Sequence, residues 1–263
     1  METKTSLTRP GLHVAAPALL AALLVAGGPA SAAEIRLLSA ASMQTVFRQL
    51  AGEFERSSGH RLIIRYSTMG AITDRIMGGE QADLVISSPQ SISDLVEEAR
   101  IDSRNWVRLA RTGVGIVAPS GHPNSAIASV EDLKRALLAA KTIVYADPPR
   151  GGAAGIHIAG VIEKLGIAEQ LKPKTRLAAG GDVTEVTLAQ GEGALGLTQI
   201  SEIVGKPGAE FLGPLPDEFQ NYTGFIAGIP RGVKPSEAVT ALLDLLKSPA
   251  AIAVMKTKGM EVD

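Results

Sequence analysis

The chain of 263 residues contains no cysteine, which removes disulfides, thiol nucleophiles and cysteine-ligated zinc from its chemistry in one step. Histidine is nearly as scarce. His13, His60, His122 and His157 stand alone, and no two have the spacing that sets a metal ion between turns of one helix. Aromatic residues make up 3% of the chain, with Trp106 the single tryptophan and Tyr66, Tyr145 and Tyr222 the tyrosines. A pocket that stacks sugars or bases on aromatic faces has little to draw on. Basic charge is not in excess either: the formal net charge is −1, which argues against nucleic acid as a partner. Beyond the N-terminal segment no apolar stretch approaches the roughly 18 residues of a membrane span. There is no nucleophile-elbow serine, and one useful histidine does not make a Ser/His/Asp triad. No cofactor is implied.

What remains is a good core. Hydrophobic residues are 45% and charged residues 20%, the balance of a globular chain long enough for two modest lobes or one large α/β domain. The N-terminus has its own layout: Lys4 and Arg9 precede an apolar run from Val14 to Ala26, Gly27-Gly28-Pro29 breaks it, and Ala30-Ser31-Ala32 supplies small residues at a cleavage position. That is the three-part layout of a secretory signal peptide, expected over residues 1–32. Removing it takes Glu2, Lys4 and Arg9 from 26 basic and 27 acidic residues, leaving 24 and 26 and a net charge of −2. With no cysteine to carry a lipid, the expected product is a free periplasmic protein that is not inserted in the membrane.

The apolar run Ile35–Leu38 reads as a buried strand, and from Met43 the apolar positions 43, 46, 47, 50, 51 and 54 have helical spacing. Ser42 stands between them, where an N-cap hydroxyl belongs. Free N–H groups at such a helix start can hold an anion without a cationic side chain. One N-cap serine is commonplace; the junction gains meaning because it recurs. Arg61–Tyr66 is a second strand running through Ser67-Thr68-Met69-Gly70 into a short helix. Ala82–Ser88 is a third strand, with a helix over Ile92–Ala99 capped by Ser91 or Ser93. After a strand at Gly113–Pro119, a turn at Ser120–Pro123 and a helix at Val130–Ala139, the strand Thr142–Tyr145 enters Asp147-Pro148-Pro149-Arg150-Gly151-Gly152 and a helix starts near Ala153. Gly180-Gly181 and Asp182 precede another helix, Ala194–Thr198 is a strand, Tyr222–Ile229 another, and Ser236–Lys247 a helix. Strand and helix in alternation give an α/β fold with mostly parallel sheets flanked by helices. Two similar apolar strands, 113–118 and 223–229, bracket the middle block. The economical layout is two lobes, residues 33–116 with 224–263 and residues 117–223, with the ligand cleft between them.

Gly191-Glu192-Gly193-Ala194-Leu195-Gly196 spells a dinucleotide fingerprint, but a helix precedes it and a strand follows, the reverse of what pyrophosphate binding needs. It is a turn. Arg150, in a glycine- and proline-rich loop before a helix start, either aims its guanidinium at a carboxylate or oxyanion or is a solvated loop arginine. His60 and His122 lie in polar turns and are expected to be solvated; His157, early in the third junction helix, either lines the cleft or packs. An enzyme using His157 with an acid such as Asp147 is the alternative to a binding protein.

The ordered set Ala40-Ala41-Ser42, Ala82–Ser87, Asp147-Pro148 with Ala153–Ile156, Asp182-Val183 and Leu195–Leu197 resembles the molybdate-binding periplasmic proteins of ABC transporters, within the two-lobed type 2 periplasmic-binding fold. The resemblance implies a monomeric solute receptor that hands a small anion to an inner-membrane ABC permease. It also implies an oxyanion held by two hydroxyls, backbone amides and a tyrosine, with Ser42 as the first hydroxyl and Ala154 and Val183 giving amides. Two positions depart. Met69, with Thr68 beside it, stands where the second serine is expected, and Gln199 where the tyrosine is expected. A thioether is a poor partner for an oxyanion, whereas Gln199 both donates and accepts. Molybdate or tungstate fits if Thr68 serves; a small organic carboxylate beside Met69, clamped by Arg150, fits as well.

Overall fold

The first helix buries Val46, Phe47, Leu50 and Phe54 on one stripe and turns Arg48, Gln49 and Glu53 outward, as its spacing requires. This computed structural model describes residues 1–3, 32–122, 127–150, 152–179, 181–233 and 236–262. The expected signal peptide therefore lies almost wholly outside the described residues, as do Pro123, Gly151 and Gly180 of the expected turns. From Ala32 onward the chain is one compact unit.

Its first part alternates β1 (Glu34–Ala40), α1 (Gln44–Ser58), β2 (Arg61–Ser67), α2 (Met69–Met77), β3 (Leu84–Ser87) and α3 (Pro89–Glu97). β1 lies between β2 and β3 and is parallel to both, with Ser39 opposite Tyr66 and Leu38 opposite Val85. The helices start where the chemistry says they should. Thr68 Oγ1 accepts the Ala71 N–H and caps α2, and Gly59, at φ 71°, closes α1 in the left-handed conformation that glycine adopts without cost. α3 starts earlier than expected, because Ser88, not Ser91 or Ser93, is its cap and Pro89 follows directly as the first helical residue.

β4 (Ile101–Pro119) is the frame of the fold. It is 19 residues long and starts twelve residues before the expected strand at 113. Its first half pairs antiparallel with β9 (Tyr222–Pro230), and its second half pairs antiparallel with β7 (Ala194–Gln199) and β8 (Ala209–Pro214). Between them come α4 (Val130–Ala139), β5 (Thr142–Ala146), α5 (Ala153–Lys164), α6 (Ala168–Leu171), β6 (Thr175–Ala178) and α7 (Val183–Gln190). β5 is parallel to both β6 and β7. The strand order is β2-β1-β3-β9-β4-β7-β5-β6, three parallel strands at each end joined by antiparallel ones. The chain ends with α8 (Glu237–Lys247), α9 (Pro249–Thr257) and β10 (Met260–Glu261), which returns to β4 at Arg111 and Thr112.

Two hydrophobic cores follow. One gathers Phe47, Leu50, Leu84, Ile86 and Leu95 with Leu242 and Met255 of the C-terminal helices. The other gathers Ile116, Leu133, Ile143, Ile158 and Leu197. Each such side chain contributes about 1.5–3 kcal/mol of apolar burial. Among the described residues no single helix is long and apolar enough to cross a membrane. His60 corrects its expectation: it is buried, 6.4 Å from the Phe54 ring, and its Nδ1 accepts the Ala33 N–H at 3.3 Å.

Candidate functional site

The carboxyl ends of β1, β2, β5 and β7 face one small volume. After β1 the chain enters a 3-10 turn, Ala41–Met43, before α1 begins at Gln44. β2 runs into the Thr68 cap of α2. β5 leads to α5, which packs so tightly against it that a Cβ on Gly155 would lie 2.1 Å from the Ala146 carbonyl oxygen. β7 leads into a second 3-10 turn, Ile200–Glu202. A small cavity of about 30 Å³ sits where these ends meet, room for no more than one or two water molecules.

Of the residues picked out in the sequence, Ser42, Thr68, Met69, Ala154 and Gln199 line this cavity. Val183 does not: it is fully buried in a small apolar cluster with Val144, Ala146 and Ala178, and Gly181 forms the wall ahead of α7. Arg150 borders an adjoining, more open cavity shared with Thr68 and Gly181. Its carbonyl accepts the Thr68 hydroxyl at 2.8 Å, while its exposed guanidinium lies 3.4 Å from Asp147. His157 is not in the lining; its Nε2 lies 2.6 Å from the Phe219 carbonyl. The pairing of His157 with Asp147 as an acid–base couple therefore has no place at this cavity.

The Ile156 amide bonds back to the Gly152 carbonyl, and Ala153 and Ala154, in the first turn of α5, are lining residues whose amides are helix-start donors. No lysine, arginine or histidine is among the lining residues. Among the described residues no group of three acidic or imidazole side chains is arranged to hold a metal ion.

One lining residue was not legible beforehand. Glu202 is the sole ionisable side chain of the inner cavity. Its Oε1 accepts the Ser42 hydroxyl at 2.8 Å, its Oε2 accepts the Thr198 hydroxyl, and its backbone carbonyl accepts Thr184 Oγ1 at 2.9 Å. The turn is tied down further, for Thr45 Oγ1 donates to the Ser201 carbonyl at 2.9 Å. Burial pushes the Glu202 carboxyl above its ordinary range, and the two hydroxyl bonds and the charge of Lys206 only partly oppose this. Lys206 is itself buried and paired with Glu185. The expected N-cap role of Ser42 is thus corrected: its hydroxyl makes no capping bond and is turned to Glu202. Beside it Gln199 is buried, and its Oε1 has no hydrogen-bond partner. The signal for Glu202 was positional: Ser201 and Glu202 follow the end of a buried strand at Gln199, as the hydroxyls at the other junctions do.

The sequence profile of the bacterial extracellular solute-binding proteins matches residues 35–261. An aconitate isomerase from a Pseudomonas species is 27% identical over 252 residues, covering 92% of this chain and 94% of that protein. The molybdate-binding protein ModA of Escherichia coli (strain K12) is 25% identical over 261 residues, covering 97% and 100%. Among solved structures, the periplasmic molybdate-binding protein of Azotobacter vinelandii superposes with a TM-score of 0.71 at 17% identity, over 87% of this chain and 99% of that one. The architecture is thus that of the type 2 periplasmic binding proteins.

Proposed function

This chain belongs to the bacterial extracellular solute-binding proteins, and from that premise we propose that it is an exported, periplasmic, monomeric receptor for a small anion. Two lobes, residues 33–116 with 224–263 and residues 117–223, close on the ligand by hinge bending, and the closed form is offered to an inner-membrane ABC permease. The carrying observation is the convergence of Ser42, Thr68 and the α5 helix start on a cavity with no cationic side chain in its lining. Hydroxyls and helix dipoles neutralise an anion at close range without the desolvation cost of a buried ammonium or guanidinium. Likeness to the molybdate-binding proteins supports an oxyanion. Met69 and Gln199 in the lining support instead a ligand with apolar and mixed hydrogen-bonding edges, such as a small organic carboxylate. Calorimetry on the chain without residues 1–32 tests this with molybdate, tungstate, sulfate and a set of di- and tricarboxylates. One anion should bind with micromolar or tighter affinity; no binding by any of them would refute the reading.

A second reading is favoured by Glu202. A buried carboxyl able to carry a proton at the ligand is what an enzyme needs to move a hydrogen along a carbon skeleton, and one relative is an aconitate isomerase. In this reading the pocket takes a proton from the methylene of aconitate and returns one to the far carbon of the double bond, so that the bond shifts with no net change in composition. Proton NMR of cis- and trans-aconitate with the protein decides. Interconversion that depends on Glu202 makes the protein an enzyme; unchanged spectra together with binding leave it a receptor.

A further inference from the structure

An anion pocket that carries its own carboxyl faces a charge conflict. The inner cavity is lined by hydroxyls, backbone and small side chains, and its one ionisable group is Glu202, in hydrogen-bond contact with the same Ser42 hydroxyl that faces the ligand volume. If Glu202 and the ligand are both ionised, two negative charges sit within one water-poor volume, and no cation among the lining residues offsets them. The charged groups near Glu202 on the elements packed against it are Lys206 and Glu185. These two are paired with each other and so largely cancel. A second, independent feature points the same way. Gln199 is a lining residue whose buried Oε1 has no hydrogen-bond partner, and a fully ionised oxyanion has no hydrogen to give it.

We propose that this pocket binds its anion together with a proton carried by Glu202, and that Glu202 thereby selects organic acids that still hold or readily regain a hydrogen, such as polycarboxylates, over the oxyanions of strong acids. The proposal rests on the reading of the cavity as an anion site and adds the residue that sets its selectivity. With Glu202 protonated, its O–H donates, one neighbouring hydroxyl turns to accept, and the charge conflict disappears. A carboxylic O–H or hydroxyl on the ligand satisfies Gln199. Burial that already favours the neutral carboxyl makes the proton easy to recruit. A dianion with no exchangeable hydrogen leaves the Gln199 acceptor unpaired, and that costs affinity.

The test is calorimetry of citrate, succinate and sulfate with the chain lacking residues 1–32, in two buffers of different ionisation enthalpy at about pH 7.5, repeated across the pH range. Wild-type protein should bind a carboxylate with uptake of about one proton wherever the free protein holds Glu202 ionised, and over that pH range affinity should fall by up to tenfold per pH unit. Sulfate should bind more weakly than the better carboxylate. In Glu202→Gln the proton uptake should shrink to what the ligand alone explains, and sulfate should gain about tenfold relative to wild type at alkaline pH. A merely structural role would weaken every ligand alike and leave the pH profile unchanged. Binding by wild-type protein without proton uptake and without pH dependence overturns the proposal while leaving the anion site standing, and this result needs no variant to fold. Absence of binding by all three anions overturns the proposal, and absence of binding by molybdate and tungstate as well overturns the anion site with it.

Discussion

Replacing Gly181 with alanine measures how closely the two halves of the pocket wall must approach. A Cβ built on Gly181 would lie 2.2 Å from the Ala41 Cβ, across the gap between the turn after β1 and the start of α7. Two methyl carbons pack at about 3.5–4.0 Å, so the walls must separate by roughly 1.5 Å. The φ of Gly181 is outside the left-handed range, so alanine meets no backbone strain there and the clash is the whole effect. Overpacking of this kind costs about 1–3 kcal/mol, and under the proposed hinge closure that cost falls on the closed form, because opening relieves it. The expected result is a dissociation constant raised roughly 5- to 150-fold. Loss of glycine entropy from the unfolded chain should meanwhile leave the ligand-free melting temperature unchanged or slightly higher. Calorimetry of the best-binding anion and a thermal melt without ligand are the two assays. Affinity within twofold of wild type would show that closure does not bring these turns together.

Gly155→Ala should act on the fold itself. Its Cβ would sit 2.1 Å from the Ala146 carbonyl, a rigid backbone neighbour, so a loss of about 1–3 kcal/mol is expected in a urea titration, and an unchanged midpoint would contradict the packing of α5 on β5. Ser42→Ala removes the hydroxyl that lines the ligand volume and donates to Glu202; a hydrogen bond to a charged group lost at this site should weaken anion binding about tenfold or more. The pH dependence of stability follows from Glu202. Its carboxyl is raised above the ordinary 4.5 by burial, so the folded chain keeps the proton after the unfolded chain has lost it. The stabilisation from Glu202 is therefore full below that value and declines as pH rises through the folded value. Glu202→Gln, which cannot ionise, should gain stability over wild type as pH is raised. The opposite trend in paired chemical denaturations would contradict the burial of this carboxyl.

The alternation of strands and helices was legible because parallel strands buried on both faces, such as Leu84–Ser87, leave continuous apolar runs that helical spacing then interrupts. The first half of β4 was not. Ile101–Thr112 carries Arg104, Arg108 and Arg111 on a partly exposed face, and its partner β9 lies more than a hundred residues further on, so nothing local marks it as a strand. β8 was hidden as well, since it ends in Gly213 and Pro214, residues that strands seldom contain. At the site, the junctions at Ser42, Thr68 and Ala153 could be found because strand ends and helix starts are local features, while the resemblance to the molybdate-binding proteins singled out Ser42, Thr68 and Ala154 among them. Glu202 could not, because a glutamate in a polar turn is ordinarily solvated, and only the three-dimensional approach of Ser42, Thr184 and Thr198 buries it. Arg150 shows the converse. Its loop position suggested a clamp, but its guanidinium lies on the Asp147 side of the outer cavity.

The most direct test of the account is a crystal structure of the chain without residues 1–32 in complex with the anion that calorimetry ranks first. The anion should lie within hydrogen-bond distance of Ser42 Oγ and the α5 amides at Ala153 and Ala154, with Gln199 and Glu202 against it. An anion bound instead among the exposed arginines of β4, with the cavity between the strand ends filled only by water, would contradict the account.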